Sequence, residues 1–253
     1  MGRAIGYTSD LSVDEVLLLD EAGFDPVELV MGSSYFHVGY QLAGWSTNAE
    51  LQQLTASMTD ARAMAMYKLT EEVAALGADG VVGVRLEVEH RKHHAEFTAL
   101  GTAVVARRDN QRWRVGGRPF TSGLSGQDFW ALVRGGYQPR ALVMGCCVYH
   151  VARQSLGGWL SRIGNNCEMP TFTQALYDAR ELAMERLQRE ARAAGATDVV
   201  GLKVKESSHG WQAHVIEFLA IGTAVAPSGE DAVHDPIAPI LSAAAGKSEL
   251  DGG

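Results

Sequence analysis

Cysteine is scarce in this chain of 253 residues: there are three, an odd number with no CxxC spacing. That excludes the disulfide framework that holds small secreted domains together. Long apolar runs are also missing, and none approaches the roughly 18 residues a membrane-crossing helix needs. Met1 to Gly6 contains no apolar signal core, and Gly6 stands where a myristoylation signal carries Ser or Thr. Cations are short as well: 22 Lys and Arg face 30 Asp and Glu, a net charge of −8. Sequence-independent nucleic-acid binding needs a surplus of phosphate-neutralising charge, so neither a nucleic-acid nor a membrane partner is expected. The expected location is the cytoplasm. Enzyme signatures are absent too: no GxSxG elbow, no GxxxxGK[ST] loop and no HExxH. A catalytic role would need dispersed residues, so the reading leans away from an enzyme.

What the chain does contain is one unit written twice. Thr8-Ser9-Asp10-Leu11-Ser12 returns as Thr121-Ser122-Gly123-Leu124-Ser125, an offset of 113. The same offset carries Leu19, Gly23, Pro26, Leu29, Val30, Met31, Gly32, His37 and Val38 onto identical residues ending at Val151. After five extra residues, an offset of 118 carries Ala61, Arg62, Ala65, Met66, Leu69, Glu72, Gly77 and Ala78 onto Ala179, Arg180, Ala183, Met184, Leu187, Glu190, Gly195 and Ala196. Three more residues bring Glu96-Phe97 and Gly101-Thr102-Ala103-Val104 onto Glu217-Phe218 and Gly222-Thr223-Ala224-Val225. A period kept through this many positions is the mark of a tandem duplication.

Each copy is expected to run helix, strand, loop, long helix, strand, strand, a two-layer α+β unit with an antiparallel sheet. Ser12-x-x-Glu15 and Ser125-x-x-Asp128 predict capped short helices, and Gly23 and Gly136 end them. Short strands are expected at 28–33 and 141–146. Ala-rich stripes predict long helices over 59–76 and 177–194. Val82, Val84, Leu86 and Val88 alternate with Arg85, Glu87 and Glu89, as on a half-buried strand. The repeats are placed at 1–107 and 121–226. Between them lies a polar linker at 108–120, an arginine-rich stretch, and residues 227–253 form an acidic tail, flexible or docking. Five acids and Lys247 give the tail half of the net negative charge, around an apolar island from Pro236 to Ala245.

The run Asp60-Ala61-Arg62, Leu76-Gly77-Ala78-Asp79-Gly80-Val81-Val82-Gly83 and Gly101-Thr102-Ala103-Val104, repeated in the second copy, resembles the YbjQ-like family of bacterial proteins. That family carries a heavy-metal-binding label. The resemblance implies two tandem βαββ-type YbjQ-like units, each here with an extra N-terminal helix. It also implies assembly as a pentamer-based ring. Physics points the same way, because a unit of this size leaves sheet edges and one sheet face to be covered by neighbours. The expected partner is therefore a further copy of the chain, in multiples of five.

Candidate chemistry rests on residues that recur. His37 and His150 occupy one repeat position and His93 and His214 another, and imidazole would suit a divalent transition metal. The alternative is that these histidines are solvated or simply packed. Glu96 and Glu217 recur in an apolar strand, as ligands, a general base, or ion-pair partners for Arg62 and Arg180. Cys146-Cys147 stands where the first copy has Ser33-Ser34, so smallness rather than sulfur is what the position requires, and adjacent strand cysteines point to opposite faces. Cys167 has no thiol near it in sequence. Trp45 and Trp159, each after a glycine, line a pocket or plug a subunit seam. The function expected is a self-assembling scaffold or small-ligand-binding protein. A metal-sequestering oligomer is the first alternative and an enzyme with a site at a subunit seam the second.

Overall fold

The computed structural model describes residues 8–37, 48–91, 94–108, 110–152, 170–208 and 215–229. In chain order the elements are α1 (Val13–Glu21), β1 (Phe24–His37), β2 (Ala49–Glu50), α2 (Gln52–Ala75), β3 (Gly80–Arg91) and β4 (His94–Ala106). Then come α3 (Asn110–Trp113), β5 (Phe120–Thr121), α4 (Gly126–Arg134), β6 (Tyr137–His150), α5 (Pro170–Ala193), β7 (Asp198–Ser208) and β8 (Val215–Pro227). The α+β class holds. One sheet has the order β1-β4-β3-β5 and the other β2-β6-β8-β7, antiparallel except where β5 lies parallel to β3.

The short helices start as their caps require. The Ser12 hydroxyl accepts from the Glu15 amide, and the Glu15 carboxylate accepts from the Ser12 amide at 2.8 Å. The second cap works differently. Asp128 is a methylene shorter than Glu, and its carboxylate takes the Ser125 hydroxyl instead. The orphan Gly126 amide at the start of α4 is met by the other oxygen of Glu15, at 3.0 Å. One carboxylate therefore caps both copies, and the amides of Ser12 and Gly126 hold its pKa below the ordinary value despite its partial burial.

Both long helices begin earlier than their stripes predict. Leu51, Leu54 and Met58 are buried in one cluster with Leu142, Cys146, Val148, Val215 and Leu219 of the second copy. That contact comes from the other repeat, which local periodicity does not contain. Both first strands are also longer than expected: β1 pairs with β4 from Phe24 and on through Ser34 to His37, and β6 pairs with β8 from Tyr137 to His150. One face assignment is corrected: Val82 does not share a face with Val84. Gly83, at φ +69°, places a bulge between them, so Val84 joins the α2 cluster and Val82 packs with Phe24 and Val104. Gly201, at φ +61°, does the same in the second copy.

The result is a stack of four layers. Helix α5 covers one face of the second sheet through Ala175, Ala179, Ala183, Leu187 and Ala191. The amino-terminal half of α2 covers that sheet's other face, and α2 as a whole lies on the first sheet. Small residues allow the helices to approach closely. A methyl group built on Gly32 would overlap the Ala65 carbonyl oxygen, and one on Gly145 the Ala183 carbonyl oxygen.

The segment joining the repeats is held by aromatic rings beneath its arginines. Trp113 meets Phe24 edge-on at 4.8 Å, and Phe120 stacks on Phe129 at 5.8 Å. Arg114 donates to buried Asp79 at 3.1 Å, and the other Asp79 oxygen accepts the Ala106 amide.

Candidate functional site

The most concentrated buried polarity lies where the two repeats meet. Arg62 of α2 and Glu217 of β8 form an ion pair with 1 % and 3 % of their surface exposed. The carboxylate at the recurring position does pair with the recurring arginine, but across the duplication. Arg62 also lies over the Phe97 ring, 5.1 Å from its centre, so a cation–π contact holds the guanidinium face. Its Nε and Nη1 have no hydrogen-bond acceptor among the described residues. Cys146 completes the group, with its Sγ 3.5 Å from Glu217 Oε1. A buried pair of this kind contributes little net stability, yet its rupture strands a charge in the core.

Other bonds cross the same seam. β2 pairs with the end of β6, Ala49 opposite His150 and Glu50 opposite Tyr149. The Leu51 amide donates to the Val148 carbonyl at 2.8 Å, and the Val148 amide donates to Thr55 Oγ1 at 2.9 Å. In the opposite direction, β5 of the second copy extends the first sheet beside β3. Each repeat thus lends the other a strand.

Beside this seam is an open cleft of about 610 Å³ whose lining includes Thr55, Asp60, Cys146, Arg186, Arg189 and Glu190. Arg186 and Glu190 are occupied with the edge of β6, and Arg189 pairs with Glu185. Arg186 donates to the Cys146 carbonyl at 2.7 Å and to Glu50 at 2.9 Å, and Glu190 accepts the Met144 amide. The first copy repeats this with Lys68 on the Ser33 carbonyl and Glu72 on the Met31 amide. The recurrence identifies the pattern as capping of an exposed strand edge. Burial raises the pKa of Glu190, against the opposing amide of Met144.

The two adjacent cysteines fall on opposite faces, Cys146 toward α2 and Cys147 toward α5. Burial pushes the Cys146 thiol up to about 12, with Arg62 opposing, and burial does the same to Cys147. Neither carries the thiolate character of a reactive cysteine. We expect both to resist iodoacetamide in the folded protein at pH 8 and to react once it is denatured, as read by peptide mass mapping. Because the folded pKa of Cys146 lies above that of the unfolded chain, its contribution to stability falls as pH rises from about 9 to about 12.

The histidines are less informative. His37 ends β1, exposed, with His94 as its register partner. His150 ends β6, buried, opposite Val215 and Ala49. His93, His214, Trp45, Trp159 and Cys167 lie outside the described residues, as does the tail beyond Gly229. Among the described residues no three His, Cys, Asp or Glu side chains gather as a metal site would require, and no helix is long and apolar enough to cross a membrane. Sequence reasoning named Arg62 and Glu217 but missed Thr55 and Glu50. The signal available for these two was the apolar run Leu51, Leu54 and Met58 extending the helix towards them.

Comparison with known proteins accounts for the doubled architecture. A family model described as "Putative heavy-metal-binding", the YbjQ family, matches residues 35–107 and again 141–228. The chain belongs to this family. A relative from Helicobacter hepaticus, named as a UPF0145 protein, is 34% identical over 91 residues, covering 84% of its own length and 35% of this chain. One from Thermus thermophilus is 37% identical over 76 residues, 63% of its length and 30% of this chain. Those relatives match one repeat's worth of sequence. A Mycobacterium tuberculosis protein named as an encapsulin nanocompartment protein is 48% identical over 227 residues, 88% of this chain and 87% of its own.

Proposed function

We propose that this YbjQ-family chain is a non-catalytic, self-assembling structural protein of the cytoplasm. Its units stack into closed homo-oligomers of five chains or a multiple of five. One observation carries the reading: a repeat buries its most costly polar group, Arg62, only against a neighbouring repeat. A unit built this way is incomplete alone. The mycobacterial relative's name supports a role in, or beside, an encapsulin nanocompartment, and the acidic tail would supply the docking segment for a neighbouring chain or for that partner. Native mass spectrometry of untagged protein tests this. Five chains or a multiple of five is the expected mass, and a monomer at micromolar concentration would overturn the proposal.

A second reading, a divalent transition metal held by His37, His93, His150 and His214, has one observation in its favour. The strand register puts His37 opposite His94 in a family labelled for metal binding. The structural reading expects dialysed protein to retain no stoichiometric zinc, copper or nickel by elemental analysis. Stoichiometric metal that disappears when His93 and His214 are both replaced by Ala would establish the second reading instead.

A further inference from the structure

Among the described residues, the elements that cross from one repeat to the other each occur once, and the strands and faces equivalent to those they cover carry no such partner. Strand β6 carries β2 on its edge, whereas its counterpart β1 ends the first sheet with no such partner among the described residues. Strand β3 carries β5, whereas its counterpart β7 ends the second sheet among the described residues. The faces follow the same rule. On the second sheet, Leu142, Cys146, Val148, Glu217 and Leu219 are buried under α2. Their counterparts on the first sheet are Leu29, Ser33, Tyr35, Glu96 and Thr98, none of them buried, with Tyr35 73 % exposed. The helix shows it too. Leu54, Met58 and Arg62 of α2 are buried, while Phe172 and Leu176 of α5 are half-buried and Arg180 is exposed.

Among the described residues, one end of the chain therefore presents an uncovered sheet face and the other end a helix face that is only partly covered. The join inside the chain shows what fits them. Resting on the self-assembly proposed above, we infer that α5 of one copy docks on the outer face of the β1-β4-β3 sheet of a second copy. Arg180 then pairs with Glu96 of that copy, as Arg62 pairs with Glu217 within one chain. Thr173, the counterpart of Thr55, meets the backbone at Tyr35, the counterpart of Val148. The contact is heterologous, helix end to sheet end, so it propagates from chain to chain, and it forms a ring where the rotation per chain closes. The two repeats alternate along a single path, and each join carries one buried arginine–carboxylate pair.

Charge chemistry supports this occupant. Among the described residues neither Glu96 nor Arg180 has an ion-pair partner; Glu96 is half-buried opposite Tyr35 and Glu89, and Arg180 is exposed. Docking would bury both, and a buried charge requires its complement. An uncharged apolar partner would cover the sheet face but leave Glu96 unpaired.

The test uses the full chain. Glu96→Arg and Arg180→Glu, made separately, are each expected to reduce assembly at least tenfold by native mass spectrometry, with the circular dichroism of the folded chain retained. Tyr35→Cys combined with Thr173→Cys provides an independent check. A short bifunctional thiol reagent should then join different chains into a covalent ladder on a denaturing gel, which either single variant should not form. Wild-type assembly that survives both charge reversals, with no ladder from the double cysteine variant, would overturn this contact and leave self-assembly standing. A monomeric wild type would instead overturn the self-assembly on which the inference rests.

Discussion

Replacing Glu217 by Gln is expected to remove about 3–5 kcal/mol of stability, read from equilibrium denaturation of the full chain. The side chains are nearly isosteric, so packing is preserved and the loss isolates the charge. Arg62 cannot escape by deprotonating, since its guanidinium stays charged throughout the working pH range. Nor can water reach it, because both partners are almost fully buried. Among the described residues two of its nitrogens already lack acceptors, so no spare bond there compensates. The double variant Arg62→Met, Glu217→Leu should cost far less than the single one, because desolvation of both charges is removed together. A small effect from Glu217→Gln alone would mean that water enters the seam and that the repeats are not tightly joined there.

Gly145→Val is expected to destabilise the chain by about 3 kcal/mol or more, at the upper end of overpacking effects. A single added carbon would overlap the Ala183 carbonyl oxygen and lie 2.8 Å from both the Ala183 carbonyl carbon and the Leu187 nitrogen. These are backbone atoms of α5, which cannot rotate away as a side chain could. The strand and the helix must separate, and Ala179, Ala183 and Leu187 lose contact with the sheet together. Gly116→Ala is the control. Its φ of +59° carries a conformational cost of about 1 kcal/mol, but nothing lies within 4 Å of the added methyl. Equal thermal shifts for the two variants would contradict the close approach of strand to helix.

The duplication was legible because identities persist at stepped offsets, and with it came the order of elements within a copy. Caps and terminal glycines were legible because their chemistry is local: Ser12 with Glu15, and Gly23 and Gly136 at φ of +86° and +77°. What the sequence concealed was mostly non-local. Arg62 and Glu217 were both singled out as possible ion-pair partners, yet their side chains belong to different copies, and only the stacking of repeats brings them together. The early start of α2 has the same origin, since Leu51 and Leu54 are buried by a sheet more than ninety residues away in sequence. The Val82 face was hidden by a bulge at Gly83, which changes strand parity without changing the apolar pattern. Trp113 and Phe120 hid among arginines, whose charge dominates the composition of residues 108–120 although the rings meet Phe24 and Phe129.

The central claim is that one kind of join, helix on the outer face of the next sheet, operates within the chain and between chains. Electron cryomicroscopy of the assembled full chain tests it most directly. The account predicts a closed ring in which residues 170–193 of one copy lie on the sheet face of Tyr35 and Glu96 of the next, with Arg180 against Glu96. A ring held by other surfaces, with that sheet face open to solvent, would contradict it.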